Sequence, residues 1–283
     1  MTNLEPANSL LGDGAALRKR AAADGVLLLR DFVSRDALAR VRAAVLGICA
    51  EAGWTAPGAD PMAGAAAPGQ AHRPGEPAFM RVYRRIQACE AFHALAHRPE
   101  LLAVFGRLLG EPIVPHARNI ARVVFPNFEA WTTPAHQGHI HIGGTEETWT
   151  TWIPLGDCPR TLGSLAVMPG SHRAGVLPTQ VAYGPGGKGV EARALPFDWA
   201  EPEYAAGDLL AFHSLTVHRA LPNLSGRLLR LSVDFRYQAV SRPVARASFE
   251  PHHGGVAWDE LYSGWQSANL QHYWRDLPLR FAD

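Results

Sequence analysis

Lysine is nearly absent from this chain of 283 residues. Lys19 and Lys188 are the only two, so arginine carries almost all of the positive charge, and acids balance it to a formal net charge of +1. A near-neutral chain lacks the basic excess of a general nucleic-acid binder, which argues against a nucleic-acid polymer as partner. Cysteine is scarce too. Cys49, Cys89 and Cys158 are odd in number and not spaced as metal ligands, so they read as small buried hydrophobes in a reducing compartment. No apolar run reaches membrane-spanning length, and the opening Met-Thr-Asn-Leu-Glu-Pro has no basic-then-apolar leader pattern. A cytoplasmic protein without membrane contact is the expectation. No internal repeat is visible, and Tyr183–Gly189, although glycine-rich, lacks phosphate-loop spacing and a following Ser or Thr, which makes it a connection.

What is present is enough apolar content, 47%, to bury a substantial single core. The first hundred residues carry helical periodicity and one early strand. Val26–Leu29 is a short apolar run suited to a buried strand. Ser34 is placed to cap a helix over 35–50, in which Leu38, Val41, Val45 and Ile48 recur at helical spacing. Ala56–Pro77, rich in Ala, Gly and Pro, breaks the period and reads as a long loop of the size that lids have. Further helices are predicted near 87–97 and 99–109. From about Ile113 the texture becomes β, with strands predicted over 120–125, 148–154, 165–168, 208–212 and 230–237. The expected organisation is one domain over 1–283: a mostly helical part to 112, a β core over 113–240 and a C-terminal segment over 241–283.

The chemistry-bearing pattern is His136-Gln137-Gly138-His139-Ile140-His141, followed far along the chain by His218 and Arg230. Two histidines on neighbouring strands hold a divalent metal, but the common facial triad adds a carboxylate, and glycine stands where it would be. Between these residues lie Trp152-Ile153-Pro154-Leu155, the turn Gly163-Ser164-Leu165-Ala166-Val167-Met168-Pro169-Gly170-Ser171-His172, and Gly207-Asp208. In combination, the stretch from about Ile113 to Tyr237 resembles the phytanoyl-CoA dioxygenase family of iron(II)- and 2-oxoglutarate-dependent oxygenases. The resemblance implies an α+β, mainly β fold: a double-stranded β-helix, or jelly roll, with flanking N-terminal helices.

Carried across, the resemblance implies His136 and His218 as iron(II) ligands, Arg230 as the partner of the distal carboxylate of 2-oxoglutarate, and Gln137 and Trp152 beside that cosubstrate, with dioxygen as oxidant. A two-pronged guanidinium suits a buried carboxylate in any fold. Arg227 competes for the role, but Leu229–Asp234 alternates as a strand, which aims Arg230 and Ser232 to one side. Gly138 leaves three readings, of which the first is the expectation: chloride enters the vacated position and the protein is a halogenase, as resemblance to the His-x-Gly halogenases of this family implies. Alternatively His141, His139 or water completes an ordinary hydroxylase. In the third, the chain is a non-catalytic binding protein. On a regular strand His139 points away, and His141 is displaced unless the chain turns.

Among those halogenases the chain resembles the ones acting on a deoxyadenosine monophosphate, which implies a small-molecule, nucleoside monophosphate substrate. Arg81, Arg84 and Arg85, with Arg236, Arg242, Arg246, His252 and His253, are the candidate phosphate donors. Phe79, Tyr83, Trp258 and Trp265 are the candidate base-stacking rings.

Overall fold

The computed structural model describes residues 2–126 and 131–282. In chain order the elements are α1 (Gly14–Asp24), β1 (Val26–Leu29), α2 (Arg35–Glu51), α3 (Pro77–Gln87), α4 (Glu90–Ala96), α5 (Pro99–Leu109), β2 (Ile113–Pro115) and β3 (Ile120–Val124). Then follow β4 (His136–Gln137), α6 (His139–Ile142), β5 (Trp149–Pro154), β6 (Leu165–Val167), β7 (Gln180–Val181), β8 (Lys188–Gly189), β9 (Leu209–His213), β10 (Val217–Ala220), β11 (Arg230–Ala239) and α7 (Trp258–Tyr262).

Caps and periodicity account for the helices. The side chain of Ser34 accepts from the Ala37 amide at the start of α2, and that of Asp13 accepts from two amides of α1, which sequence reading missed. Proline opens α3 and α5, where its missing N–H costs nothing.

The larger sheet runs β1-β9-β5-β11 and continues to β2 and β3, which pair with different stretches of β11. A second sheet runs β4-β10-β6, and β7 pairs β8 as a hairpin. All these pairings are antiparallel. The two facing layers are the expected jelly-roll core. The N-terminal part is more than an elaboration, because β1 lies in the main sheet against β9.

The pleat of the large sheet sorts its residues. Leu27, Leu29, Ile153, Leu231, Val233, Phe235 and Tyr237 join one core with the buried faces of α1–α5. Val26, Leu28, Trp152, Leu210 and Phe212 face the other way, with Leu165 and Val167 of the small sheet. On β11 this alternation puts Leu231, Val233, Phe235 and Tyr237 under the helices and turns Arg230, Ser232, Asp234 and Arg236 towards the space between the sheets.

Candidate active site

A cavity of about 610 Å³ opens between the two sheets. It is lined from the large sheet by Trp152, Phe212 and Arg230 and from the small sheet by His136, Leu165 and His218. That volume lies within the roughly 300–1,000 Å³ of small-molecule sites.

The two histidines meet because β10 pairs β4 with His218 directly opposite His136, and their ring centroids lie 4.1 Å apart. His136 Nδ1–H donates to the Pro134 carbonyl at 2.9 Å, and His218 Nδ1–H donates to the Thr216 carbonyl at 2.9 Å. Each bond fixes the tautomer that leaves Nε2 as a free lone pair. Burial, then the neighbouring His218, holds His136 well below the ordinary histidine range; burial brings His218 to about 4. Both rings are neutral at pH 7, the state a metal ligand needs.

Gly138 does not continue the strand. Its φ of −61° and ψ of −33° are right-handed helical, and its carbonyl accepts from the amides of His141 and Ile142 as α6 begins. The chain turns here, the case in which His141 is not displaced. The turn brings the His141 ring to 5.4 Å from that of His136. A Cβ at 138 would lie 3.4 Å from Ile142 Cδ1, 3.6 Å from the Ser214 carbonyl and 3.9 Å from His218 Cε1, ordinary contacts. Neither backbone nor space demands glycine here. Among the described residues no three His, Cys, Asp or Glu side chains are grouped to hold a metal ion.

Arg230 is 3% exposed and donates to Ser232 Oγ at 2.7 Å, while its buried Nε has no partner. Burial draws its pKa down to about 10. A guanidinium held this way fits a carboxylate that arrives with a ligand. Arg227 is exposed and does not line the cavity. Trp152 does, with its ring 4.7 Å from that of Tyr204.

Three sets of expectations need correction. Gln137 does not line the cavity: its amide nitrogen donates to the Gly175 and Leu215 carbonyls, both at 2.8 Å, and its oxygen accepts from the Leu177 amide at 2.9 Å. With those groups taken up by main chain, it ties loops together.

Arg81, Arg84 and Arg85 lie outside the cavity because Phe79, Val82, Tyr83 and Ile86 occupy the buried face of α3, which turns the arginines to solvent; Arg85 pairs with Glu51 there. Arg242 and Arg246 are exposed beyond β11, the latter 4.6 Å over the Phe281 ring. Trp258 and Trp265 belong to a separate C-terminal core. Phe79, Tyr83, Arg236, His252 and His253 do line the cavity, joined by Arg118 from the β2–β3 connection and Arg122 from β3, neither of which the sequence singled out.

The family model for phytanoyl-CoA dioxygenase matches residues 22–231. The chain belongs to the phytanoyl-CoA dioxygenase family. It is 32% identical over 167 residues to 1-deoxypentalenic acid 11-beta-hydroxylase of Streptomyces exfoliatus, and 30% over 165 residues to the enzyme of that name from Streptomyces arenae. Each match covers 52% of this chain and 56% of the relative, so the chain spans about half the length of these curated relatives.

In fold it is similar to the non-heme alpha ketoglutarate dependent epimerase SnoN from nogalamycin biosynthesis, with a TM-score of 0.58, 18% identity, and 82% of this chain and 85% of that one covered. It is also similar to EctD from S. alaskensis with bound Fe, with a TM-score of 0.55, 20% identity, and 81% and 78% covered. Among the described residues no helix is long and apolar enough to cross a membrane.

Proposed function

We propose that the protein is an iron(II)- and 2-oxoglutarate-dependent oxygenase that hydroxylates an unactivated carbon of a small organic molecule. The observation that carries this reading is the pairing of His136 and His218, with both tautomers fixed for metal, in the same cavity as the unpaired Arg230. Bound iron and 2-oxoglutarate would supply the oxidising power: dioxygen gives one oxygen atom to the substrate and one to the succinate formed as carbon dioxide leaves. His136 and His218 hold and orient the metal through Nε2. Arg230, steadied by Ser232, takes the distal carboxylate of 2-oxoglutarate. Trp152, Phe212 and Leu165 keep that end of the cavity apolar and dry. Hydroxylation is the outcome named for the relatives at 32% and 30% identity, and in this chain His141 or water would take the third ligand's place.

One observation favours a second reading, in which chloride occupies that place and is transferred to carbon instead of oxygen. Gly138 leaves the corner beside His218 open although the backbone would accept a side chain. One anion would then replace another at the metal. Nucleoside monophosphate as substrate loses the exposed arginines expected to bind its phosphate.

Reconstitution under nitrogen with iron(II) and 2-oxoglutarate, with and without chloride, then oxygen and mass spectrometry across organic acids, amino acids and nucleotides, tests both readings. An added oxygen atom, indifferent to chloride, supports hydroxylation; a chlorinated product supports the second reading. Gly138→Asp retains hydroxylation under the first and abolishes chlorination under the second. Oxygen uptake without succinate formation overturns both.

A further inference from the structure

The row Arg230, Ser232, Asp234, Arg236 on β11 is electrically out of balance at its far end. Among the described residues that line the cavity, Asp234 is the only carboxylate. Its Oδ2 is already taken by Arg122, through Nε at 2.8 Å and a terminal nitrogen at 2.7 Å, while its buried Oδ1 has no hydrogen-bond partner. Among the described residues, that leaves Arg118 and Arg236 without a hydrogen-bonded carboxylate. Their hydrogen bonds run to main-chain oxygens at the long limit: Arg236 to the Arg118 carbonyl at 3.3 Å and Arg118 to the Ala247 carbonyl at 3.3 Å. The Nε of Arg236 is buried with no partner.

Both side chains are half-buried, and a cation partly withdrawn from water without a counter-ion is costly unless something binds it. The field is felt across the cavity: after burial, Arg118 and Arg122 help depress His253.

This cluster is separate from the cosubstrate end. Arg236 lies six residues along β11 from Arg230, roughly 20 Å at the rise of an extended strand. The two side chains also have different partners, Ser232 Oγ for Arg230 and the Arg118 carbonyl for Arg236. The cavity wall also carries Phe79, Tyr83, Phe125 and Trp131, which suit an apolar or aromatic body.

We propose that Arg118 and Arg236 form a second anion site that holds an oxyanion of the substrate, a carboxylate or a phosphate. The free oxygen of Asp234 accepts a hydrogen bond from a hydroxyl or amino group of the same molecule. The substrate class is thus a hydroxylated or aminated organic acid, or a phosphate monoester, with an apolar body. The inference rests on the oxygenase reading for what the bound molecule undergoes, not for its binding.

Calorimetry tests it on the iron(II)-loaded protein under nitrogen, titrated first with 2-oxoglutarate and then, in its presence, with benzoate, phenyl phosphate and benzyl alcohol. The expected result is that at least one anion binds more tightly than the alcohol. Arg236→Gln and Arg118→Gln should then each weaken it roughly tenfold or more, with 2-oxoglutarate affinity unchanged within about twofold. Preference for benzoate assigns a carboxylic acid, and preference for phenyl phosphate a phosphate monoester. Equal binding of anions and alcohol, or anion affinity unchanged in both variants, overturns the proposal.

Thermal unfolding separates a binding role from a structural one. A guanidinium awaiting a ligand can be replaced with the melting temperature unchanged or raised, whereas a marked fall in both variants overturns the proposal. If 2-oxoglutarate does not bind while the anions do, the oxygenase reading fails and the second anion site stands.

Discussion

Gln137 and Arg230 show how two buried polar side chains come to opposite uses. Gln137 has main-chain partners for both ends of its amide, so Gln137→Ala orphans two carbonyls and one N–H. At about 1–3 kcal/mol for a buried group left unpaired, the expected loss is on the order of several kcal/mol of stability, with 2-oxoglutarate affinity retained in the fraction still folded. Chemical denaturation beside a 2-oxoglutarate titration checks this, and weakened cosubstrate binding at unchanged stability would contradict it. Arg230→Gln has the reverse signature: cosubstrate affinity falls at least roughly tenfold and the fold is kept, because the guanidinium's one side-chain partner is Ser232. Arg227→Gln, at an exposed position, leaves both unchanged. His136→Ala and His218→Ala lose bound iron, measured directly as metal content, since each removes one of the two proposed ligands.

At the scale of elements, the hairpin β7–β8 closes one side of the cavity, and glycines let it do so. Gly184 has φ +127°, and a Cβ there would lie 2.4 Å from the Thr132 carbonyl; at Gly186, with φ +87°, it would lie 3.0 Å from the His141 ring. The hairpin is tied to the first ligand strand by the Val190 amide, which donates to the Ala135 carbonyl at 2.9 Å. Gly184→Ala therefore strains the turn and pushes it off residues 132–134. Turnover falls, proteolysis across 176–190 accelerates, and iron content is unchanged. Unaltered proteolysis and turnover together would show that this contact does not hold the wall in place. The long loop expected over 56–77 forms another part of the wall through His72, Pro74 and Gly75, with His72 stacked 4.9 Å from Trp54.

For the whole molecule, buried neutral histidines set the acid limit. Burial holds His93 at about 4 and His116 at about 3, both far from the metal-ligand pair in sequence. His93 is fixed as a neutral ring: Nε2–H donates to the Gln87 carbonyl at 2.8 Å and Nδ1 accepts from Asn119 at 3.1 Å. In the unfolded chain both titrate near 6.5, so between about pH 6.5 and 4 the unfolded state binds more protons than the folded one. Stability from these groups is complete above that window and is lost as pH falls, by up to about 1.4 kcal/mol per pH unit for each residue. The urea midpoint should drop between about pH 7.5 and 5; a flat profile would mean that these rings are protonated in the fold.

Much of this arrangement was legible in the chain. Period-2 alternation through Leu229–Tyr237 turns Arg230 inward whatever lies above it, and 3.6-residue periodicity with Ser34 as cap specifies α2, because both follow from local backbone geometry. The absence of a carboxylate at Gly138 is likewise a fact of sequence. Tertiary structure decided the rest. β4 and β10 are two and four residues long, too short to carry a pattern, so only pairing set His136 against His218. The turn at Gly138 and the saturation of Gln137 depend on the carbonyls of Leu215, Gly175 and Ser214 and the amide of Leu177, distant in the chain. Which arginines face the cavity was settled by packing as well. The apolar stripe of α3 sends Arg81, Arg84 and Arg85 outward, while Arg118 and Arg122, unmarked in the sequence, are carried inward beside Asp234 and Arg236, because charge faces a cavity only where strands and helices leave room for it.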